Sequence, residues 1–208
     1  MDLIVVTDSE GILGIGDQGV GGILISIGKG NIYSLGGGID PSRILPVVID
    51  VGTDNPALLY VTFSLPLTPV AANSFRRENR NDPLYLGLRR SRIRGAEYDA
   101  FVDQFCDLVR EMYPQAMLHF EDFGVANASR LLRKFRPKQS CCTFNLSSCL
   151  NNELGVDEGR CTVNDDMQGT AAVVLSALVS ACKVTKTELK DQRIAMFGFG
   201  TSHLHLAQ

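Results

Sequence analysis

The stretch "LIVVTDSEGILGIGDQG", residues 3–19, decides how the chain is read. Residues 3–7 are apolar and largely β-branched, as in a buried strand. "DSEG" (8–11) has turn chemistry. "ILGIGD" (12–17) then reads as the returning strand of a hairpin. Inside it, "GIGDQG" (14–19) matches Gly-x-Gly-x-x-Gly. That pattern cradles a pyrophosphate when a strand comes directly before it and a helix directly after. The next residues, "VGGILISIGKG" (20–30), hold glycines and β-branched residues and make a poor helix opening. The expectation is a glycine-rich hairpin end and loop that lets backbone pack closely.

Working outward, "RILPVVIDVGTDN" (43–55) gives a second buried strand and a polar loop. From Ala96 to Tyr113, Tyr98, Phe101, Val102, Phe105, Val109 and Met112 fall at helical spacing, and Pro114 closes that helix. "AMLHFED" (116–122) is a strand ending in acids, and "VANASRLLRKF" (125–135) is helical. Asn164 suits the N-cap of a helix beginning "DDMQGTAAVVLSALVSAC". "RIAMF" (193–197) is a final strand running into "GFGTSH" (198–203). Helices and strands alternate, so the class is α/β. Residues 60–80 and 142–162 break the rhythm: both are polar and aperiodic, and structureless loops of roughly twenty residues are uncommon in compact domains.

The 208 residues suffice for one core and the start of a second domain. A hydrophobic share of 45%, a charged share of 21% and a net charge of -3 suit a soluble globular protein. That charge gives no reason to expect nucleic acid or an anionic membrane as partner. Cys106, Cys141, Cys142, Cys149, Cys161 and Cys182 have no Cys-x-x-Cys spacing and read as reduced thiols. "MDLIVVTDSE" is not a signal peptide. The apolar run "TAAVVLSALVSAC" is too short to span a bilayer.

Two acidic pairs carry the chemical signal. Glu121 and Asp122 end a strand; Asp165 and Asp166 open a helix. Singly, each pair has a structural reading: acids favour a helix start, and acids after a strand are solvated. Together they form an all-oxygen set that suits Mg²⁺ or Mn²⁺, not zinc. Lys29 is either an exposed loop lysine or a desolvated one, whose lowered pKa makes it a general base. His119 reads as a strand residue beside the acids. His203 and His205 are a His-x-His metal pair or divergence at a chain end. "GFGTSH" comes directly after a strand, but His203 stands where a third glycine belongs.

Six motifs in order resemble the malic enzyme family: "VVTDSEGILGIGDQGVGG" (5–22), "IGK" (27–29), "LPVVIDVGTDN" (45–55), "NDPLYLGLR" (81–89), "HFEDFGVANASRLL" (119–132) and "NDDMQGTAAVVL" (164–175). The resemblance implies a malate and metal domain over residues 1–163, and the start of a Rossmann-type NAD- or NADP-binding domain over 164–208. It implies oxidative decarboxylation of L-malate to pyruvate and CO₂ with a divalent cation. By motif, Lys29 matches the general base and Glu121, Asp122 and Asp166 the metal ligands, with Asp165 beside them. Asp166, Gly198 and Gly200 fall to the cofactor side, and "GIGDQG" becomes an active-site scaffold loop. The resemblance also implies a homo-oligomer in the cytoplasm or mitochondrion. Departures from the family pattern are Gly11, where many members have a substrate-binding arginine, Leu24 in place of a glycine, and insertions near 60–80 and 142–162. The family's catalytic tyrosine has no motif counterpart, so the 208 residues by themselves are expected to be incomplete and inactive. The alternatives are a catalytically silent fragment and a metal- and dicarboxylate-binding module.

Overall fold

The structure, a computed structural model, describes residues 1–59, 84–135, 162–195 and 197. Four strands form one parallel sheet: β1 (Leu3–Thr7), β2 (Ile44–Val48), β3 (Met117–Phe120) and β4 (Thr162–Asn164), in the order β2-β1-β3-β4. Register pairs Val5 with Pro46 on one side and with His119 on the other. The helices are α1 (Ile23–Gly37), the short α2 (Pro56–Leu59), α3 (Gly95–Met112), α4 (Val125–Phe135) and α5 (Thr170–Thr185). Strand order reverses between β1 and β3. In open parallel sheets, ligands bind outside the carboxyl ends of the strands at such a switch point.

Both faces of the sheet are covered, which is why β1 is apolar at every position up to its last and fully buried. On one face Ile4, Val6, Leu118 and Phe120 join Tyr98, Val102 and Cys106 of α3 and Leu131, Leu132 and Phe135 of α4. Phe120 stacks on Phe135 at 5.9 Å and meets Phe123 edge-on at 5.3 Å. Burying each such side chain contributes about 1.5–3 kcal/mol before entropy is charged. Helix α1 covers the other face. There the Ser26 hydroxyl donates to the Val47 carbonyl at 3.1 Å.

Helix α1 overturns the expectation of a hairpin end and loop. A 3₁₀ turn (Gly19–Gly22) leads straight into a helix of 15 residues. Its glycines are weak helix formers in isolation, but here they permit contact. A Cβ on Gly22 would lie 2.1 Å from the Ser9 hydroxyl, and one on Gly30 would lie 3.1 Å from Ile44. Nor does a strand return after β1. Both β1 edges are taken by parallel neighbours, and Ile12 and Gly16 make only an isolated bridge. The loop between them turns through positive φ at Leu13, Gly14 and Gly16.

At the other end, Arg193–Ala195 have no strand structure and Ile194 is exposed. A strand needs a ladder partner, and no strand among the described residues lies beside this segment. The apolar run in α5, too short by itself to span a bilayer, belongs to a longer helical segment, Asp165–Thr185. By length and composition alone that segment is long and apolar enough to cross a membrane. Val173, Leu175 and Val184 on it are exposed. The expected loops 60–80 and 142–162 lie outside the described residues, except that Thr162 opens β4. So do Cys141, Cys142, Cys149, Cys161, Gly198, Gly200, His203 and His205.

Candidate active site

The site forms where β1, β3 and β4 end. After β1, Asp8 is buried and serves as a fixed anchor. Its carboxylate accepts from the Tyr98 hydroxyl at 2.7 Å and from Asn127 Nδ2 at 3.1 Å. The Arg92 guanidinium donates to the Asp8 and Gly52 carbonyls. Burial raises the Asp8 pKa, against the opposing charge of Arg92. Asn127 also donates to Glu10 at 2.8 Å, so one side chain ties α4 to both acids of the first turn. Sequence reasoning does not single out Arg92, Tyr98 or Asn127 as site residues. Their signal is a polar group at a core-facing position, which is weak without the fold.

After β3, the Glu121 amide still donates to Val6 at 2.9 Å, extending the ladder by one residue. Asp122 then turns into the left-handed region at φ 52°. For a non-glycine residue this costs of order 1–3 kcal/mol and persists only where neighbours impose it. They do: the Leu13 amide donates to Asp122 Oδ2 at 2.8 Å, and the Gly11 amide to the Asp122 carbonyl at 3.1 Å.

After β4, Asn164 Oδ1 accepts from the Met167 amide at 3.1 Å, the cap expected from sequence. Gln168 Oε1 accepts from the Asn164 amide at 2.9 Å. Asp165–Gly169 form a π-helical turn, not the first turn of an ordinary helix. Such turns recur at functional sites. Here glycine leaves room for the Asp165 carboxylate: a Cβ on Gly169 would lie 2.1 Å from Asp165 Oδ1 and would push that side chain aside.

The two acidic pairs meet across this gap. One carboxylate oxygen from each of Glu121, Asp122 and Asp166 lies within 4.8 Å of the others. The Asp122 amide also donates to Asp166 Oδ2 at 2.9 Å. Burial, then the charges of Glu121 and Asp122, push the Asp166 carboxyl up to about 7. Burial raises Asp122 as well. Three crowded carboxylate oxygens, with Asp122 and Asp166 raised, fit a hard divalent cation, which would offset their repulsion. Asp122 and Asp166 line a cleft of about 610 Å³ together with Glu10, Gly11, Gly14, Gly16 and Thr170.

Lys29 does not line that cleft. It sits in the middle of α1, and its ammonium lies 2.7 Å from Asp165 and 3.1 Å from Glu121. Desolvation pulls its pKa down, as expected from sequence, but the two carboxylates outweigh it and hold the pKa well above the ordinary value. The lowered pKa is therefore corrected: Glu121 and Asp165 favour the ammonium form of Lys29. His119, Glu121 and Asp165 form a second convergent group, but Lys29 already stands between its two carboxylates.

This arrangement has relatives. The malic enzyme N-terminal domain family matches residues 1–66 and 63–136, and the malic enzyme NAD-binding domain family matches residues 167–208. The chain belongs to the malic enzyme family. It is 42% identical over 207 residues to the NAD-dependent malic enzyme of Schizosaccharomyces pombe, covering 100% of this chain and 29% of that protein. It is 44% identical over 208 residues to NAD-dependent malic enzyme 3 of Bacillus subtilis, covering 100% and 29%. The mitochondrial NAD-dependent malic enzyme of Saccharomyces cerevisiae is 44% identical over 207 residues, covering 100% and 25%. The chain thus spans under a third of the length of these relatives.

Family membership makes Gly11 informative. A Cβ there would lie 3.0 Å from the Phe123 carbonyl and 3.3 Å from the Asp122 carbonyl. An arginine at this position would require the backbone around Asp122 to yield. As folded, the residues described as lining the cleft include three acids, Glu10, Asp122 and Asp166, and no cation.

Proposed function

We propose that the cleft is the malate and metal site of an NAD-linked oxidative decarboxylation of L-malate to pyruvate and CO₂. The observation that carries this is the convergence of Glu121, Asp122 and Asp166 from two separate strand ends, in a chain of this family. When bound, Mg²⁺ or Mn²⁺ supplies Lewis-acid polarisation of the substrate's C2 oxygen and drains charge from the breaking C–C bond. Glu121, Asp122 and Asp166 are its ligands. The relatives' names favour NAD over NADP as hydride acceptor. Gly198 and Gly200 are proposed for its pyrophosphate turn, with Asp166 bordering that side.

Lys29 is proposed, by its family motif, as the base that takes the C2 hydroxyl proton; because it lies outside the residues lining the cleft, it would reach only a substrate held at Glu121, the acid it touches. To do so its Nζ must first lose a proton, which the charges of Glu121 and Asp165 oppose. Engaging Glu121 elsewhere weakens that hold and brings Lys29 toward a reactive pKa. Asp165 keeps the amine aimed during this change. Glu10 lines the cleft, held by Asn127, and is proposed to orient the substrate end away from the ion. The site therefore serves first as a binding module, and we propose that the 208 residues alone bind the ion and dicarboxylate without turnover. The proposed compartment is cytoplasm or mitochondrion, the latter named for the budding-yeast relative.

The test is calorimetric titration of the 208-residue chain with L-malate, with and without Mn²⁺, alongside NADH production. Malate binding only when Mn²⁺ is present supports the assignment. Equal malate binding without metal, or none with it, contradicts it. Sustained NADH production above a Lys29→Ala control would overturn the separate expectation of no turnover.

A further inference from the structure

We propose that His119, clamped by Tyr33, is a positioning residue that fixes Glu121 for the divalent cation. The inference rests on the metal role assigned above to Glu121.

His119 is fully buried, on the face of β3 that looks toward α1. Residues i and i+2 at a strand end share a face, which puts His119 beside Glu121. Residues i and i+4 of a helix share a face, which puts Tyr33 beside Lys29. The two pairs interlock. His119 Nε2 lies 2.7 Å from Glu121 Oε2, and His119 Nδ1 lies 3.0 Å from the Tyr33 hydroxyl. The rings meet edge-on at 5.4 Å. Lys29 takes Glu121's other oxygen at 3.1 Å.

The partners dictate the direction of each bond. An ionised carboxylate only accepts, so His119 Nε2 carries the hydrogen toward Glu121. In the tautomer that donates from Nε2, Nδ1 is left to accept, and the Tyr33 hydroxyl is its donor at 3.0 Å. Tyr33 thereby fixes the tautomer and the ring orientation, and the ring fixes one carboxylate oxygen. A rigid ring on a central strand does what the long Lys29 stem cannot: it holds the carboxylate plane whether or not the lysine moves. Without it, Glu121 is free to swing both oxygens to Lys29, and an ion must first reorder it. Partners of this kind behind a metal ligand typically change affinity by about 10–100-fold.

The experiment is Mn²⁺ titration of the metal-stripped 208-residue chain, read from the loss of the free Mn²⁺ electron paramagnetic resonance signal. Thermal unfolding of each metal-free variant is measured in parallel. His119→Leu should weaken Mn²⁺ binding about 10–100-fold. His119→Gln, whose amide can both donate to Glu121 and accept from Tyr33, should stay close to wild type. Tyr33→Phe, which removes one oxygen from the clamp, should fall between them. Tyr33→Phe also decides the matter if His119→Leu does not fold. Unchanged affinity in Tyr33→Phe or His119→Leu, or His119→Gln failing as badly as His119→Leu, would overturn the positioning role alone. Affinity losses that merely track losses in unfolding temperature would overturn it too. Wild-type chain that binds no Mn²⁺ would overturn the metal assignment itself, and the positioning role with it.

Discussion

The lysine side and the cleft side of the acid cluster use the same residue types to opposite electrostatic ends. On the lysine side, Glu121 and Asp165 share one ammonium, which offsets one of their two charges. On the cleft side, Asp122 and Asp166 have backbone amides as partners, and both carboxyls are raised by burial. The two acidic pairs divide unevenly: Asp165 stays with the lysine, Asp122 and Asp166 face the cleft, and Glu121 borders both sides. A strand end that runs into a sharp turn does this naturally, since successive side chains leave in different directions. Asp122 manages it through a left-handed residue, and Asp165–Asp166 through a π turn. The lysine side is complete within the chain as folded, whereas the cleft side is a set of ligands.

The contrast breaks most sharply by removing a cleft-side ligand. Asp166→Asn should weaken Mn²⁺ binding by more than the roughly 100-fold upper range for a supporting partner. Calorimetric titration checks this. Lys29→Met attacks the other side. It strands Glu121 and Asp165 without their cation and should cost about 1–3 kcal/mol in chemical unfolding. That is less than for a fully buried pair, because the ammonium is partly solvated. Its Mn²⁺ affinity should be equal to wild type or tighter, since a nearby positive charge has gone.

A pH dependence sharpens the same contrast. In the metal-free chain the Asp166 pKa of about 7 lies above its ordinary 3.8, so folding disfavours its ionised form. That penalty is fully present above pH 7 and is relieved as pH falls from about 7 toward 3.8. Asp166→Asn should therefore unfold at a higher temperature than wild type at pH 8 in a chelator. The advantage should fade through the acid range. The smallest effect belongs to the rim. Arg94 pairs with Glu10 and Asp54 at 2.8 and 2.7 Å but is 58% exposed. Arg94→Ala should cost under about 1 kcal/mol and should matter less in high salt.

Much of this architecture is legible in the sequence. The strands at 3–7, 44–48 and 117–120 are short apolar runs bounded by turns, and α3 has a clean helical period. The acidic pairs stand out because two neighbouring carboxylates are costly unless something uses them. Helix α1 is not legible, because tertiary packing sets it and not propensity: Gly30 sits against Ile44 of β2, and Gly22, just before the helix, against Ser9 and Ile12. Without α1, Tyr33 stays hidden: only on a helix does its spacing from Lys29 put both on one face. The charge state of Lys29 escapes for a related reason. Burial is visible in the apolar setting of "ISIGKG", but the compensating carboxylates come from residues 92 and 136 positions away. The π turn leaves no periodic signature, and Gly169 is its one local trace.

Anomalous diffraction from a crystal of the chain soaked in Mn²⁺ separates the two sides most directly. Two overlapping ligand groups are available, Glu121–Asp122–Asp166 and His119–Glu121–Asp165. A single manganese peak bonded to Glu121, Asp122 and Asp166, with Lys29 still on Asp165, is the expected result. A peak bonded to His119 and Asp165, or no peak in the cluster at saturating Mn²⁺, would contradict the assignment of Asp165 to the lysine and of Asp122 and Asp166 to the metal.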